Sequence, residues 1–230
     1  MALEGGQGGG MSDILERQKQ ANLRDGIPSA ETRIEWLDRC IGLLVDHQSE
    51  IEDALCEDFG HRSKDASRFT DVASSIGALQ YSKKHLRKWM RPERRKVEFP
   101  LGLLGSRAEV QYQPKGVVGV ISPWNFPVNL TFTPLANIFA AGNRAMIKPS
   151  EFTERTSELM KEMFAKAFAE DEVAVITGGP EVGAEFTKLP FDHIIFTGAT
   201  SIAKHVMRAA ADNLVPLTLE LGGKSPVVLG

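Results

Sequence analysis

The spacing of hydrophobic positions changes once along this chain. From Met11 to about Met90 they recur every three or four residues, and Ile34, Leu37, Ile41, Leu44 and Val45 mark one buried helical face. Pro28 and its restricted predecessor Ile27 set a boundary before that face, and Ser29 suits an N-cap. After Gly116 the apolar residues come in short continuous runs: "GVVGVIS", "RAMIK", "VAVIT", "HIIFT" and "LTLEL". Helix-length segments, "TFTPLANIFAAG", "TERTSELMKEMFAKAF" and "SIAKHVMRAAA", separate several of them. Unbroken apolar strands alternating with helices predict an α/β fold whose parallel sheet is covered on both faces.

Two stretches stand outside this alternation. "AEVQYQP" alternates and ends on a proline, which predicts an exposed or edge strand. Lys83 to Lys96, "KKHLRKWMRPERRK", carries eight Lys/Arg against one acid, and is read as a helix end with a solvated basic face. Nucleic-acid binding with Trp89 as a stacking residue is the competing reading. The formal net charge of −3 and the lack of any accompanying motif weigh against it. "MALEGGQGGG" (1–10) has no period and reads as a flexible leader.

Composition narrows the classes further. Of 230 residues, 42% are apolar and 25% charged, as in ordinary globular proteins. No apolar run approaches the roughly 18 residues of a membrane span, and the N-terminus lacks a signal peptide's pattern, so a cytoplasmic protein without a membrane partner is expected. Cys40 and Cys56 make no disulfide framework, and no Cys/His spacing suggests a metal. Both are expected to be reduced structural thiols.

Ligands of parallel sheets bind beyond the carboxyl ends of the strands, so candidate chemistry is sought there. After the first run comes "PWNFP" (123–127), whose prolines stiffen the backbone around Trp124 and Asn125. A fixed Asn amide suits an oxyanion, although the motif alone also fits a rigid turn. Lys148 and Glu151 straddle Pro149, as a ribose-binding pair or as a helix start with a surface ion pair. "FTGATSIAKHVM" (196–207) reads as strand, glycine turn and helix, a place for a pyrophosphate, but lacks the usual GxGxxG spacing. In "LTLELGGKSP" (217–226), Glu220 is an acid inside an apolar run, where burial is costly unless the carboxylate is paired or put to chemical use.

In this order, "PKGVVGVISPWNFP", "AAGNRAMIKPSE", "FTGAT" and "LELGGKSP" resemble the aldehyde dehydrogenase superfamily over about residues 12–229. "DFGHRS" (58–63), "QYQPKGVVGV" and "LPFDHIIFTGAT" are similar to its short-N-terminus class, which includes bacterial coniferyl aldehyde dehydrogenases. The resemblance implies a Rossmann-like NAD-binding domain over 116–230, a helical N-terminal region over 11–100, and a strand of an oligomerisation arm within 101–115. It implies that Asn125 donates to the thiohemiacetal oxyanion and that Glu220 is the general base for thioester hydrolysis. Ser122, Trp124, Lys148, Ser150 and Glu151 would contact the cofactor, with Lys148 and Glu151 at the adenosine ribose. Gly198, Ala199, Thr200 and Ser201 would face the pyrophosphate, and Leu221 and Gly222 would border the nicotinamide. The implied cofactor is NAD or NADP, and Glu151 favours NAD because a 2′-phosphate would meet its charge. Ala199 and Ala203 depart from a frequent hydroxyl residue and a frequent glycine.

The family's nucleophilic cysteine follows the general base by a few dozen residues, and the sequence given stops at Gly230. The expectation is therefore the N-terminal cofactor-binding part of an aldehyde dehydrogenase, inactive alone and without its catalytic cysteine domain. The parent would be a homodimer that oxidises an aromatic (coniferyl-type) or medium-chain aldehyde to the acid through a cysteine thioester. The alternative is a non-catalytic nucleotide-binding module.

Overall fold

The change of period near Gly116 is a change from helices to sheet. The computed structural model describes residues 10–229, so the leader expected over 1–10 lies, apart from Gly10, outside the described residues. The helical part comprises α1 (Met11–Asp25), α2 (Ala30–Asp46), α3 (Gln48–Phe59), α4 (Lys64–Ser67), a π-helical segment (Arg68–Ala73) and α5 (Ser74–Trp89). Ser29 caps α2 as expected, its hydroxyl accepting from the Thr32 N–H at 3.1 Å. Trp36, Cys40, Leu43 and Leu44 form the buried stripe of α2 together with Leu37, whereas Val45 is 56% exposed. Its side chain lies one residue further round the helix than Leu44, past the edge of the stripe.

The basic stretch does more than end a helix. Beyond Trp89 it forms β1 (Glu93–Arg95), which pairs antiparallel with β2 (Ala108–Val110) across a 3₁₀ turn at Leu101–Leu104. The edge strand expected in "AEVQYQP" is thus present, with one partner from nearby in the chain. All six residues of this ribbon are exposed.

The remaining strands are β3 (Val117–Ile121), β4 (Arg144–Lys148), β5 (Val173–Val175), β6 (His193–Gly198) and β7 (Leu217–Leu221). They form one wholly parallel sheet in the order β5-β4-β3-β6-β7. Connecting them are α6 (Asn129–Ala140), α7 (Glu154–Ala167), α8 (Pro180–Thr187) and α9 (Thr200–Ala211). Alternate residues of each strand feed two cores. Val118, Val120, Ala145, Ile147, Val173 and Val175 pack with α2, α3, α5, α6 and α7. Val117, Met146, Ala174, Ile194 and Phe196 pack with α1, α8 and α9. At the start of β3, Gly116 has φ +132°, and an added Cβ would lie 2.2 Å from Asp192 Oδ2, the atom that accepts the Val117 N–H at 2.7 Å. Only glycine fits that corner.

The first core crosses from the helical part into the sheet, with Phe139 of α6 beside Trp36 of α2 at a ring separation of 5.8 Å. Phe139→Ala is expected to cost about 3–5 kcal/mol and to shift one cooperative urea transition. Two separate transitions, with only one displaced, would contradict a shared core.

Candidate active site

Strand order reverses at β3, since the chain leaves it through α6 to β4 on one side while β6 pairs on the other. Loops that leave a parallel sheet at such a point diverge and open a crevice beyond the carboxyl ends. A cleft of about 760 Å³ lies there. Trp124 and Asn125 enter it from the end of β3, Gly198, Ala199 and Thr200 from the turn between β6 and α9, and Glu220, Leu221 and Gly222 from the end of β7. Three segments far apart in sequence thus converge on one space.

The loop after β3 is held from beneath. The Ser122 N–H donates to the Lys148 carbonyl at 3.2 Å, and its hydroxyl lies 2.7 Å from that of Thr131, which donates to the Pro127 carbonyl at 2.7 Å. Ser122 is buried, so the structure does not bring its side chain into the cleft. Trp124 is half-exposed against Phe59, with ring centres 6.3 Å apart, and Asn125 is exposed on the cleft wall.

Glu220 departs from its expected setting. It sits on the edge strand β7 opposite Thr197 of β6, and it is exposed. The reason is coverage, because α6 shields this face over β3 and β4 but leaves Thr218 and Glu220 open at the sheet edge. Among the described residues nothing covers Glu220. It is a carboxylate free to reach into the cleft that Asn125 lines from the opposite side.

Lys148, Ser150 and Glu151 belong to a neighbouring region beyond β4. Lys148 is buried, its Nζ donating to the Pro149 carbonyl at 2.7 Å and standing 3.6 Å from Glu151 Oε2. Burial pushes its pKa below the usual lysine value, and the nearby charge of Glu151 opposes that shift. Ser150 and Glu151 line a hollow of about 340 Å³ together with Thr177, Gly178 and Gly179 beyond β5. Sequence reading missed those three, although the Gly-Gly pair closing "VAVITGG" signals a close backbone approach. The Ser150 hydroxyl is occupied within its own turn, accepting from the Phe152 N–H at 3.2 Å.

The start of α9 suits an anion. Asp71 accepts the N–H groups of Val128 and Asn129 at the start of α6, and Asp58 those of Arg155 and Thr156 at the start of α7. Among the described residues no side chain caps α9, whose N–H groups at Thr200, Ser201 and Ile202 precede its first internal bond, from Ala203 to Ala199. Ser201 is exposed in this first turn but does not line the cleft. A Cβ on Gly198 would lie 2.7 Å from Phe196 Cζ, so glycine allows the close turn that presents these donors. A dinucleotide fits this set of uncapped N–H groups, a buried lysine and a nearby carboxylate. Among the described residues no cluster of His, Cys, Asp or Glu could hold a metal, and no helix is long and apolar enough to cross a membrane. Cys40 is buried in the first core, where burial pushes its thiol pKa up, and neither it nor Cys56 on α3 lines the cleft.

Comparison with known proteins identifies the family. The model of the aldehyde dehydrogenase family matches residues 20–229. A protein of Caulobacter vibrioides named probable coniferyl aldehyde dehydrogenase is 70% identical over 220 residues, covering 95% of this chain and 45% of the relative. The substrate-bound AldH of Staphylococcus aureus superposes with a TM-score of 0.87 at 32% identity, over 93% of this chain and 46% of that one. An aldehyde dehydrogenase of Mycobacterium tuberculosis complexed with NAD+ gives 0.80 at 28% identity, over 93% and 44%. The chain spans about half the length of these relatives. Its sequence, its sheet order and its cleft lead to one assignment: this chain belongs to the aldehyde dehydrogenase family.

Proposed function

We propose that the chain is the cofactor-binding part of an NAD(P)-dependent aldehyde dehydrogenase, and that the whole cytoplasmic protein oxidises a coniferyl-type aromatic aldehyde to its acid. The observation that carries this reading is the meeting of Asn125 and Glu220, from opposite sides of the strand-order reversal, beside the open start of α9. The name of the Caulobacter relative supports the aldehyde class, and the NAD+ complex of the mycobacterial relative supports the cofactor. Residues 116–229 would form the dinucleotide domain, residues 11–89 a helical region, and the exposed β1–β2 ribbon part of the arm of a homodimer.

In this reading the nucleophile is a thiolate from outside the 230 residues, because neither cysteine present reaches the cleft. As it adds to the aldehyde carbon, the carbonyl oxygen takes up negative charge and the Asn125 amide donates to it. A bound nicotinamide supplies the hydride acceptor. Once the acyl group is on sulfur, Glu220 removes a proton from the water that hydrolyses it. Uncapped α9 N–H groups would hold the pyrophosphate of such a cofactor, and Lys148 and Glu151 would hold a ribose.

Expression of the complete natural reading frame tests the proposal. The wild-type enzyme should reduce NAD+ with coniferyl aldehyde, while the 230-residue chain alone should not. In the complete enzyme, Asn125→Ala should lower kcat by about 100- to 1000-fold. Glu220→Gln should keep the initial burst of NADH and lower the steady rate by about 100-fold or more. Loss of the burst in Glu220→Gln, or steady NADH production by the isolated chain, would refute this division of roles.

Lys148 gives a separate test. Its folded-state pKa is depressed, so its charge costs stability at neutral pH, a cost that lifts as pH rises towards the ordinary lysine value. Lys148→Met should leave the melting temperature unchanged or raise it, and weaken cofactor binding by about tenfold or more. A lower melting temperature with unchanged cofactor affinity would make the lysine structural.

A further inference from the structure

The segment "DFGHRS" (58–63) has the sequence character of one class of the family, yet the chemistry above gives it no role. In the fold it lies beneath the Asn125 loop. Arg62 Nη1 donates to the Asn125 carbonyl at 2.8 Å, while its Nη2 donates to Asp71 Oδ2 at 2.7 Å and to Thr70 Oγ1 at 3.1 Å. The guanidinium carbon lies 4.8 Å from the centre of the Phe59 ring and 5.0 Å from that of Phe126. Its side chain is 12% exposed, and that of Asp71 is wholly buried. The other oxygen of Asp71 accepts the N–H groups of Val128 and Asn129 at 3.2 and 3.1 Å.

One ion pair therefore grips both ends of the segment from Asn125 to Asn129. A carboxylate this deeply buried is sustained only by a cation and several donors, and this one has them. It is presented by the π-helical segment Arg68–Ala73, and a π-turn inside a helix is a feature that recurs at functional sites. With Pro123 and Pro127 restricting the backbone on either side, tying the Asn125 carbonyl fixes the peptide plane that follows it. The tether engages the carbonyl and leaves the side-chain amide on the cleft wall.

We propose that Arg62, held by Asp71, is a positioning residue that fixes the direction of the Asn125 amide in the cleft and thereby supports the chemical step. The second half of this statement rests on the reading of Asn125 as the oxyanion donor. Arg62 touches no reacting atom and acts through Asn125 alone. A lysine cannot replace it, because an ammonium is a single point charge without the planar fork that reaches two acceptors in different directions.

Two measurements separate this proposal from the functional reading. In the 230-residue chain, 15N relaxation of the Asn125 side-chain amide, assigned through Asn125→Asp, should show a clear loss of order in Arg62→Ala while backbone amides of β4 stay unchanged. Arg62→Lys, which keeps a charge against Asp71, covers the case in which Arg62→Ala does not fold, and should loosen the amide as well. Millimolar guanidinium should restore order to Arg62→Ala by filling the vacated slot between Phe59 and Phe126. In the complete enzyme the same variant should lose about 10- to 100-fold in kcat, recover part of it with guanidinium, and keep its NAD+ dissociation constant within about twofold. An Asn125 amide as ordered in both Arg62 variants as in the wild type would overturn the proposal. So would an equal loss of cofactor affinity and kcat that guanidinium does not rescue. Failure of the wild-type enzyme to oxidise any aldehyde would sink the functional reading instead, with the amide relaxation still deciding whether Arg62 orients Asn125.

Discussion

β3 is hydrogen-bonded to β4 on one side and to β6 on the other, and this double pairing constrains every residue around the cleft. Because all five strands run parallel, their carboxyl ends lie at one edge of the sheet. Because the chain departs from β3 in one direction and returns at β6 in the other, the following segments separate there. The cleft needs no special loop to form it. Asn125, Gly198 and Glu220 meet because strand order brings the ends of β3, β6 and β7 side by side.

The buried polar groups around this edge follow from the same constraint. Each helix that returns across the sheet starts with N–H groups that lack internal partners. Asp71 and Asp58, both from the helical N-terminal part, supply those partners for α6 and α7, and α9 is left uncapped. At the opposite edge, Asn143 Oδ1 accepts the N–H groups of Lys115 and Gly116 at 2.6 and 3.0 Å, and Asp192 accepts that of Val117. Backbone accounting thus ties down the starts of α6, α7 and β3, while α8 and α9 begin without a side-chain cap. The helical part is more than a covering layer, since it carries the carboxylates that set the loops of the sheet.

Much of this architecture is legible in the sequence, because continuous apolar runs admit few other structures. "GVVGVIS" and "RAMIK" are buried on both faces, and their pattern says so directly. The Ser29 cap is legible for a local reason, since its partner lies three residues away. What was not legible depends on distant residues. The π-helical turn at Arg68–Ala73 has no period of its own and is tied to the start of α6 through Asp71. β1 is made of charged, exposed residues, so its pairing with β2 leaves no alternation to read. α8, "PEVGAEFT", is eight residues long and adds only one large apolar side chain, Phe186, to the core. At the site, Asn125, Gly198, Ala199, Thr200, Glu220 and Leu221 line one cleft, although their motifs lie far apart in the sequence. The exposure of Glu220 and the Ser122–Thr131 contact emerge only from packing, whereas the Ser150–Phe152 bond is a local turn that sequence reading missed.

The central claim is that the open start of α9 and the region beyond β4 hold one dinucleotide. Hydrogen exchange of the 230-residue chain with and without NAD+ tests it most directly, because it reads the uncapped N–H groups themselves. The account predicts slower exchange at Thr200, Ser201 and Ile202 and at Ser150 and Glu151, with no change at β1 and β2. Binding of NAD+ that leaves the first turn of α9 unprotected would contradict it.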